Sequence, residues 1–307
     1  MRIGTRASAL ALAQAELVAD ALARAAGAPV GRAEIELVPV VTSGDRGQRG
    51  GDKSRWVDAI EDALAREEID LAVHSAKDVP GELREGLALL GAPPRAAAED
   101  VLCGAASLEE LAPGARVGTS SVRRSAQLRA AREDLQVSSM RGNVDTRLRK
   151  LTATDGERMD AIVLARAGLQ RLEREDALGA VLDPASFVPA PGQGVLALEG
   201  RRGDAQAERA ARGIGDEQTL TCLLAERALA RELDASCHTP LGAHAISGGD
   251  GRLRLRAWVG LPDGSAWVSD ERTGELDAPE ALGREVARRM TLAGAAELLR
   301  EAERTAG

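Results

Sequence analysis

Apolar and polar positions along this chain change period several times, and each change marks an element. Residues 69–74, read I-D-L-A-V-H, are a short apolar run with β-branched members, which predicts a buried strand. The polar residues after it end at Pro80-Gly81, which stop any regular element. The strand therefore delivers Ser75, Lys77 and Asp78 to its carboxyl end, the end at which open α/β sheets bind ligands. A carboxylate beside an ammonium on a loop held by a strand suits acid–base work. The same residues also suit a surface turn with a local ion pair.

Upstream, residues 1–5 read as a strand and 9–26 as a helix. Ser8 is the N-cap of that helix, and Gly27 and Pro29 close it. Residues 34–42 read as a strand containing one proline. Residues 43–55, rich in Gly, Ser and charge, read as a mobile loop. Trp56, Val57, Ile60 and Leu64 have helical spacing and predict an amphipathic helix over 56–68. Strand, helix, strand, helix, strand is the order of a parallel sheet. Past Pro93-Pro94 a second α/β unit follows, with strands at 116–117, 135–140 and 160–165. Helices are expected to about 132, to 151 and after 165. A further boundary is marked by P-A-P-G-Q-G, with a strand over 195–198. From about 215 the pattern becomes a helix over 220–233, a hairpin of 252–261 with 266–272 across P-D-G, and one final helix over 279–303.

Composition narrows the function. The chain has 307 residues, enough for two or three domains. With three Trp, one Phe and no Tyr, it lacks the aromatic platforms on which nucleic-acid bases stack. A net charge of −8 argues the same way, and against a membrane surface. No apolar run reaches bilayer length. The N-terminus is a poor signal peptide, and three cysteines without a C-x-x-C pair suit a reduced compartment, so a cytoplasmic location is expected.

Charge is unevenly placed. Residues 116–150 hold nine basic side chains against three acidic ones. In G-T-S-S-V-R-R, Arg123 and Arg124 fall in a first helical turn, where the helix dipole disfavours cations and an anionic ligand reverses the sign. Arg141 and Arg147 flank a second such turn, Arg171 follows a third, and Arg6 follows the first strand. Guanidinium groups bind carboxylate or phosphate bidentately. Arg129, Arg132 and Arg149 read as solvated helix surface. Among the cysteines, Cys103 and Cys222 sit in apolar runs and read as buried. Cys237, in D-A-S-C-H-T-P-L-G, reads equally as a reactive thiol or an exposed bystander. The segment near residue 50 lacks the glycine before lysine that a phosphate-binding loop needs. G-Q-G-V-L-A follows prolines instead of a strand, and Cys237 with His238 and His244 is too small a set for zinc, so no metal is expected.

Taken together, R-I-G-T-R-A-S-A-L-A-L-A-Q-A, A-V-H-S-A-K-D-V-P, V-G-T-S-S-V-R-R, R-G-N-V-D-T-R-L, D-A-I-V-L-A-R-A-G-L-Q-R-L, P-G-Q-G and S-C-H-T-P-L-G resemble the porphobilinogen deaminase (hydroxymethylbilane synthase) family, in family order over nearly the whole chain. The resemblance implies an α/β fold of two doubly wound domains like those of periplasmic solute-binding proteins, plus a small α+β domain. The implied boundaries are 1–95 with 196–214, then 96–195, then 215–307. It implies a transferase that joins four porphobilinogens head to tail, with release of ammonia, to hydroxymethylbilane for haem and other tetrapyrroles. A monomer is implied, with a small-molecule substrate. It further implies a dipyrromethane cofactor held through a thioether on Cys237, and Asp78 as acid–base residue stabilising an azafulvene-like cation. The cofactor would be bound by Ser75, Lys77, Asp78, Thr119, Ser121, Arg123, Arg124, Arg141 and Gly168. Substrate would meet Arg6, Ser8, Gln14, Lys53, Trp56, Arg147, Arg171 and Gln193. The chain departs from the family pattern at Ser236 and His238 around the cysteine, at Trp56 where Phe is usual, and in a short 43–55 loop. A two-lobed polyanion-binding protein and a phosphate-ester enzyme are the rival readings.

Overall fold

The computed structural model describes residues 1–25, 34–42, 57–235 and 239–306. The expected 43–55 loop with Lys53, the side chain of Trp56, the end of the first helix and Cys237 with its neighbours lie outside these residues. The chain divides into two compact units, Met1–Ala96 with Gly194–Leu223, and Ala97–Gln193 with Leu224–Gly307.

The first unit opens with β1 (Arg2–Arg6) and α1 (Ala9–Ala25). Ser8 Oγ accepts a hydrogen bond from the Ala11 N–H at 3.3 Å, the predicted cap. α1 buries Ala15, Val18, Ala19 and Leu22 against Ile3, Leu71 and Val73. β2 (Glu36–Val40) runs parallel to β1 with Pro39 opposite Thr5. It is an edge strand, where a missing N–H costs no ladder bond. α2 (Asp58–Ala65) is shorter than predicted; Glu67, at φ 57, turns the chain left-handed just past its end. Ile60 and Leu64 pack with Ile69 and Ala72 on the sheet face opposite α1. β3 (Leu71–Ser75) leads into a 3₁₀ turn, Ala76–Asp78, and β4 (Leu87–Gly91) follows, a strand the pattern did not predict.

The second unit begins with β5 (Asp100–Cys103), also unpredicted, then β6 (Arg116–Thr119), α3 (Val122–Ala131), β7 (Gln136–Ser139), α4 (Val144–Leu148), β8 (Ala161–Ala165), α5 (Arg166–Arg171) and β9 (Ala180–Leu182). Its sheet order is β7-β6-β8-β5-β9. Leu128 and Phe187 pack on one face, and Leu148 and Leu169 on the other. The chain then returns to the first unit as β10 (Leu196–Arg201), antiparallel between β3 and β4, and completes the order β2-β1-β3-β10-β4. α6 (Ala205–Ile214) and α7 (Glu217–Glu232) follow.

The two sheets share one plan. Three parallel strands have the first in the middle, then comes one antiparallel strand, then a last strand. In each sheet the antiparallel strand is the first one made after the chain changes unit, so the sheets are mixed where a purely parallel pattern was read. The remainder of the second unit is a three-stranded antiparallel sheet of β11 (Leu241–Ser247), β12 (Arg252–Gly260) and β13 (Trp267–Glu275), with α8 (Pro279–Leu292) and α9 (Ala295–Ala306). The single helix expected over 279–303 is broken at Gly294, whose φ of 102 no side-chain-bearing residue adopts easily. The result is the expected class: two doubly wound α/β sheets and a smaller α+β part.

Candidate active site

In the first unit, parallel β1 and β3 end on the same edge of the sheet. Arg6 and Ser8 stand at the end of β1, and Ser75 closes β3. The 3₁₀ turn after Ser75 is pinned by its apolar members. Ala76 and Val79 are buried with Ala92, Val195 and Leu223, and the Ala76 N–H donates to Val195 O at 3.0 Å. Lys77 and Asp78 alternate with these anchors and are half-buried on the sheet edge. The Asp78 carboxylate makes no ion pair or hydrogen bond with a described residue. Gln14 is buried on α1.

In the second unit, β6, β7 and β8 likewise end on one edge. Thr119 closes β6 and is buried. Ser121 caps α3, its Oγ accepting from the Arg124 N–H at 3.4 Å. Arg123 and Arg124 do occupy the first turn of α3, but they turn inward. Arg123 donates to Asp100 Oδ2 at 2.7 Å and to Val188 O at 2.7 Å, and Arg124 Nε donates to Asp100 Oδ1 at 2.9 Å. The anion that offsets the dipole here is thus a carboxylate of the chain itself, supplied by β5. Burial works to raise the Asp100 carboxyl, yet the two guanidinium charges hold it below the ordinary aspartate value. Gln193 joins this cluster instead of standing at a surface. It is held between Gly192 and Gly194, at φ 74 and 84, and donates to Ala98 O at 2.6 Å and to Asp100 at 2.9 Å.

The remaining cations on this edge are differently placed. Arg147 Nε donates to Gly142 O at 2.8 Å, and its guanidinium has no carboxylate partner among the described residues. Burial first, and the Arg124 charge second, lower its pKa. Arg171, at the end of α5, is lowered by burial to about 10. Arg141 is exposed just beyond β7, and Gly168 lies on α5. Arg147 and Arg171, cations disfavoured by burial where they stand, form with the hydroxyl-bearing cap a donor set for a ligand rich in carboxylates. That chemistry fits a dipyrromethane with acetate and propionate arms.

Arg129 and Arg132 are not solvated surface. Arg129 donates to Pro262 O at 2.6 Å and Val137 O at 3.0 Å, tying α3 to the β12–β13 hairpin. Arg132 donates to Leu108 O and Leu111 O. Sequence reasoning also missed Asp100, the His74–Glu199 contact and Glu226, which accepts from the Gly192 and Ala245 N–H groups. Each of these acids is set in an apolar run, as in D-V-L-C and L-A-L-E-G. A charge in such a setting needs a partner, and that was the available signal.

The family model "Porphobilinogen deaminase, dipyromethane cofactor binding domain" matches residues 1–209, and "Porphobilinogen deaminase, C-terminal domain" matches 220–291. The chain belongs to the porphobilinogen deaminase family. It is 43% identical to the porphobilinogen deaminase of Thermus thermophilus over 97% of both chains. It is 45% identical to that of Rubrobacter xylanophilus, over 97% of this chain and 95% of the relative. A periplasmic substrate-binding protein from Coxiella burnetii aligns with 72% of this chain and 94% of its own, at 13% identity and a TM-score of 0.42. As a member of this family the chain is a transferase of tetrapyrrole biosynthesis. It polymerises porphobilinogen to hydroxymethylbilane and binds a dipyrromethane cofactor. Among the described residues no helix is long and apolar enough to cross a membrane, and no group of three or more His, Cys, Asp or Glu is placed to hold a metal ion.

Proposed function

We propose that Asp78 is the acid–base residue of this reaction and that Cys237 carries the dipyrromethane through a thioether. The cofactor, once bound, supplies the pyrrole carbon to which the first substrate is joined. The observation that carries the reading is the Asp78 carboxylate, without an ion pair or hydrogen bond among the described residues, on a turn pinned from both sides by buried residues. A carboxylate held in this way assists departure of the substrate's amine as ammonia. It then balances the positive charge left on the substrate's pyrrole, at no cost in reorganisation. Ser75 and Lys77 orient the pyrrole unit beside it.

Arg141, Arg147 and Arg171 hold acetate and propionate groups, with Thr119, Ser121 and the Gly168 backbone. Arg123 and Arg124 act through the positive field they set behind Ser121, and Gln193 acts by fixing Asp100. Arg6, Ser8, Gln14, Lys53 and Trp56 complete the substrate contacts. This reading takes the chain as a cytoplasmic monomer of three domains, 1–95 with 196–214, 96–195 and 215–307, contributing to haem synthesis. The test is turnover of porphobilinogen by Asp78→Asn alongside its intact mass. A variant that carries the two-pyrrole adduct and turns over at the wild-type rate removes Asp78 from this role.

A further inference from the structure

The first unit holds a buried acid–base cluster that no step above uses. Its members are His74 on β3, Glu199 on β10 and Glu61 on α2. In the β3–β10 ladder His74 faces Ala197 and Ala72 faces Glu199, so His74 and Glu199 are diagonal neighbours on one face. His74 Nε2 lies 2.9 Å from Glu199 Oε2, with the two side chains 3% and 0% exposed. The contact is close but off the hydrogen-bond axis, and neither Glu199 oxygen has an aligned donor among the described residues. Glu61 lines the same place. Burial, then the Glu199 charge, raises its carboxyl, while Arg84 and His74 oppose the rise. A buried carboxylate and imidazole, with the half-buried Glu61 beside them, fill a position where a pair of aliphatic side chains would be at least as stable.

Their location gives the cluster a use. His74 immediately precedes Ser75, and the turn that carries Asp78 begins at Ala76. The rungs next to it are Ser75 with Leu196, and the Ala76 N–H with Val195 O. We propose that His74 and Glu199 are positioning residues for Asp78. Their contact fixes β3 against β10 just before the final Ser75–Leu196 rung that leads into the turn, so that the carboxylate is presented at one height and direction. The inference rests on Asp78 being the acid–base residue.

The test compares His74→Leu, the double variant His74→Leu/Glu199→Leu, His74→Gln, His74→Asn and Asp78→Asn, each with melting temperature, intact mass, kcat and KM. His74→Leu alone melts early, because Glu199 is left buried without a partner. The double variant regains the wild-type melting temperature and carries the adduct. Its kcat falls roughly tenfold to a hundredfold, the scale of a displaced catalytic group, while KM stays within about threefold. Full turnover by the folded double variant overturns the proposal. Should the double variant fail to fold, the amides decide. The Gln amide reaches Glu199 and keeps most of kcat, whereas the shorter Asn amide does not. Equal kcat in folded Gln and Asn variants overturns the proposal equally. Wild-type turnover by Asp78→Asn sinks the acid–base reading instead, and is seen independently of the His74 results.

Discussion

Arg123 and Asp100 meet at 2.7 Å inside the second unit, 23 residues apart in sequence, each less than a twentieth exposed. The Arg123 guanidinium also lies 5.8 Å over the Phe187 ring and bonds Val188 O, so two separate segments converge on one cation. Arg147, on the same sheet edge, has no such enclosure. The two arginines therefore separate stability from binding.

Arg123→Leu leaves Asp100 short of one of its two charges and destabilises the protein by about 3–5 kcal/mol. Arg147→Leu costs about 1 kcal/mol or less in folding, and kcat/KM falls roughly tenfold to a hundredfold, the value of one charge-assisted hydrogen bond. Urea melts and porphobilinogen turnover of both variants check this. A stable Arg123→Leu protein, or a fully active Arg147→Leu protein, contradicts it.

Acid stability follows from Asp100. Its folded pKa lies below the ordinary aspartate value, so the stability it contributes is fully present above that value and is lost as pH falls through the lower one. Asp100→Asn is expected to be less stable than wild type at neutral pH, and its urea midpoint to fall less between neutral and acid pH. Parallel slopes for the two proteins would exclude the ion-paired carboxylate.

Asp78→Asn keeps the shape of the turn and removes basicity and charge. Turnover drops by roughly 10²–10⁴, the usual contribution of a positioned acid–base group. Because Asp78 makes no hydrogen bond with a described residue, the melting temperature stays within a few degrees, about what a neutral surface change gives. Loss of folding instead of turnover would assign the residue a structural role.

The three cysteines are expected to divide cleanly. Cys103 is buried in β5, and burial pushes its thiol up to about 11, so it neither ionises nor meets an electrophile near neutral pH. Cys222 is buried within α7. Cys103→Ala and Cys222→Ala keep adduct and activity, while Cys237→Ala folds with neither. Peptide mapping that finds the pyrrole adduct on Cys103 or Cys222 refutes the attachment site.

Strands with an apolar pattern and a clear stop were legible: β3, β8 and β12 lie within two residues of expectation, and β13 runs three residues past its expected end. The cap at Ser8 was legible for the same local reason. β4, β5, β9 and β11 were not. Their short runs carry little period, and what makes them strands is pairing with partners far away in the chain. The site divides in the same way. Asp78 and the arginine-bearing turns could be read because a turn is a local object. That Arg123 and Arg124 are committed to Asp100 could not, since the acid comes from an earlier strand and the dipole argument looks only along one helix. Glu199 was hidden because its partner, His74, is 125 residues upstream in chain number yet only two rungs away in the sheet.

The strand exchange between units has a consequence for how the protein is made. Every strand of the β7-β6-β8-β5-β9 sheet is encoded in one uninterrupted stretch, ending with β9 at Leu182. The N-terminal sheet is not: β3 and β4 have no strand between them until β10, ending at Arg201, has been synthesised. The ribosome therefore releases the beginning of the protein first but allows the middle to close first. While it waits, the edge of β3 that carries His74 and leads to Asp78 is an open ladder of backbone groups, the kind of edge that chaperones shield and that mispairs when it is left bare.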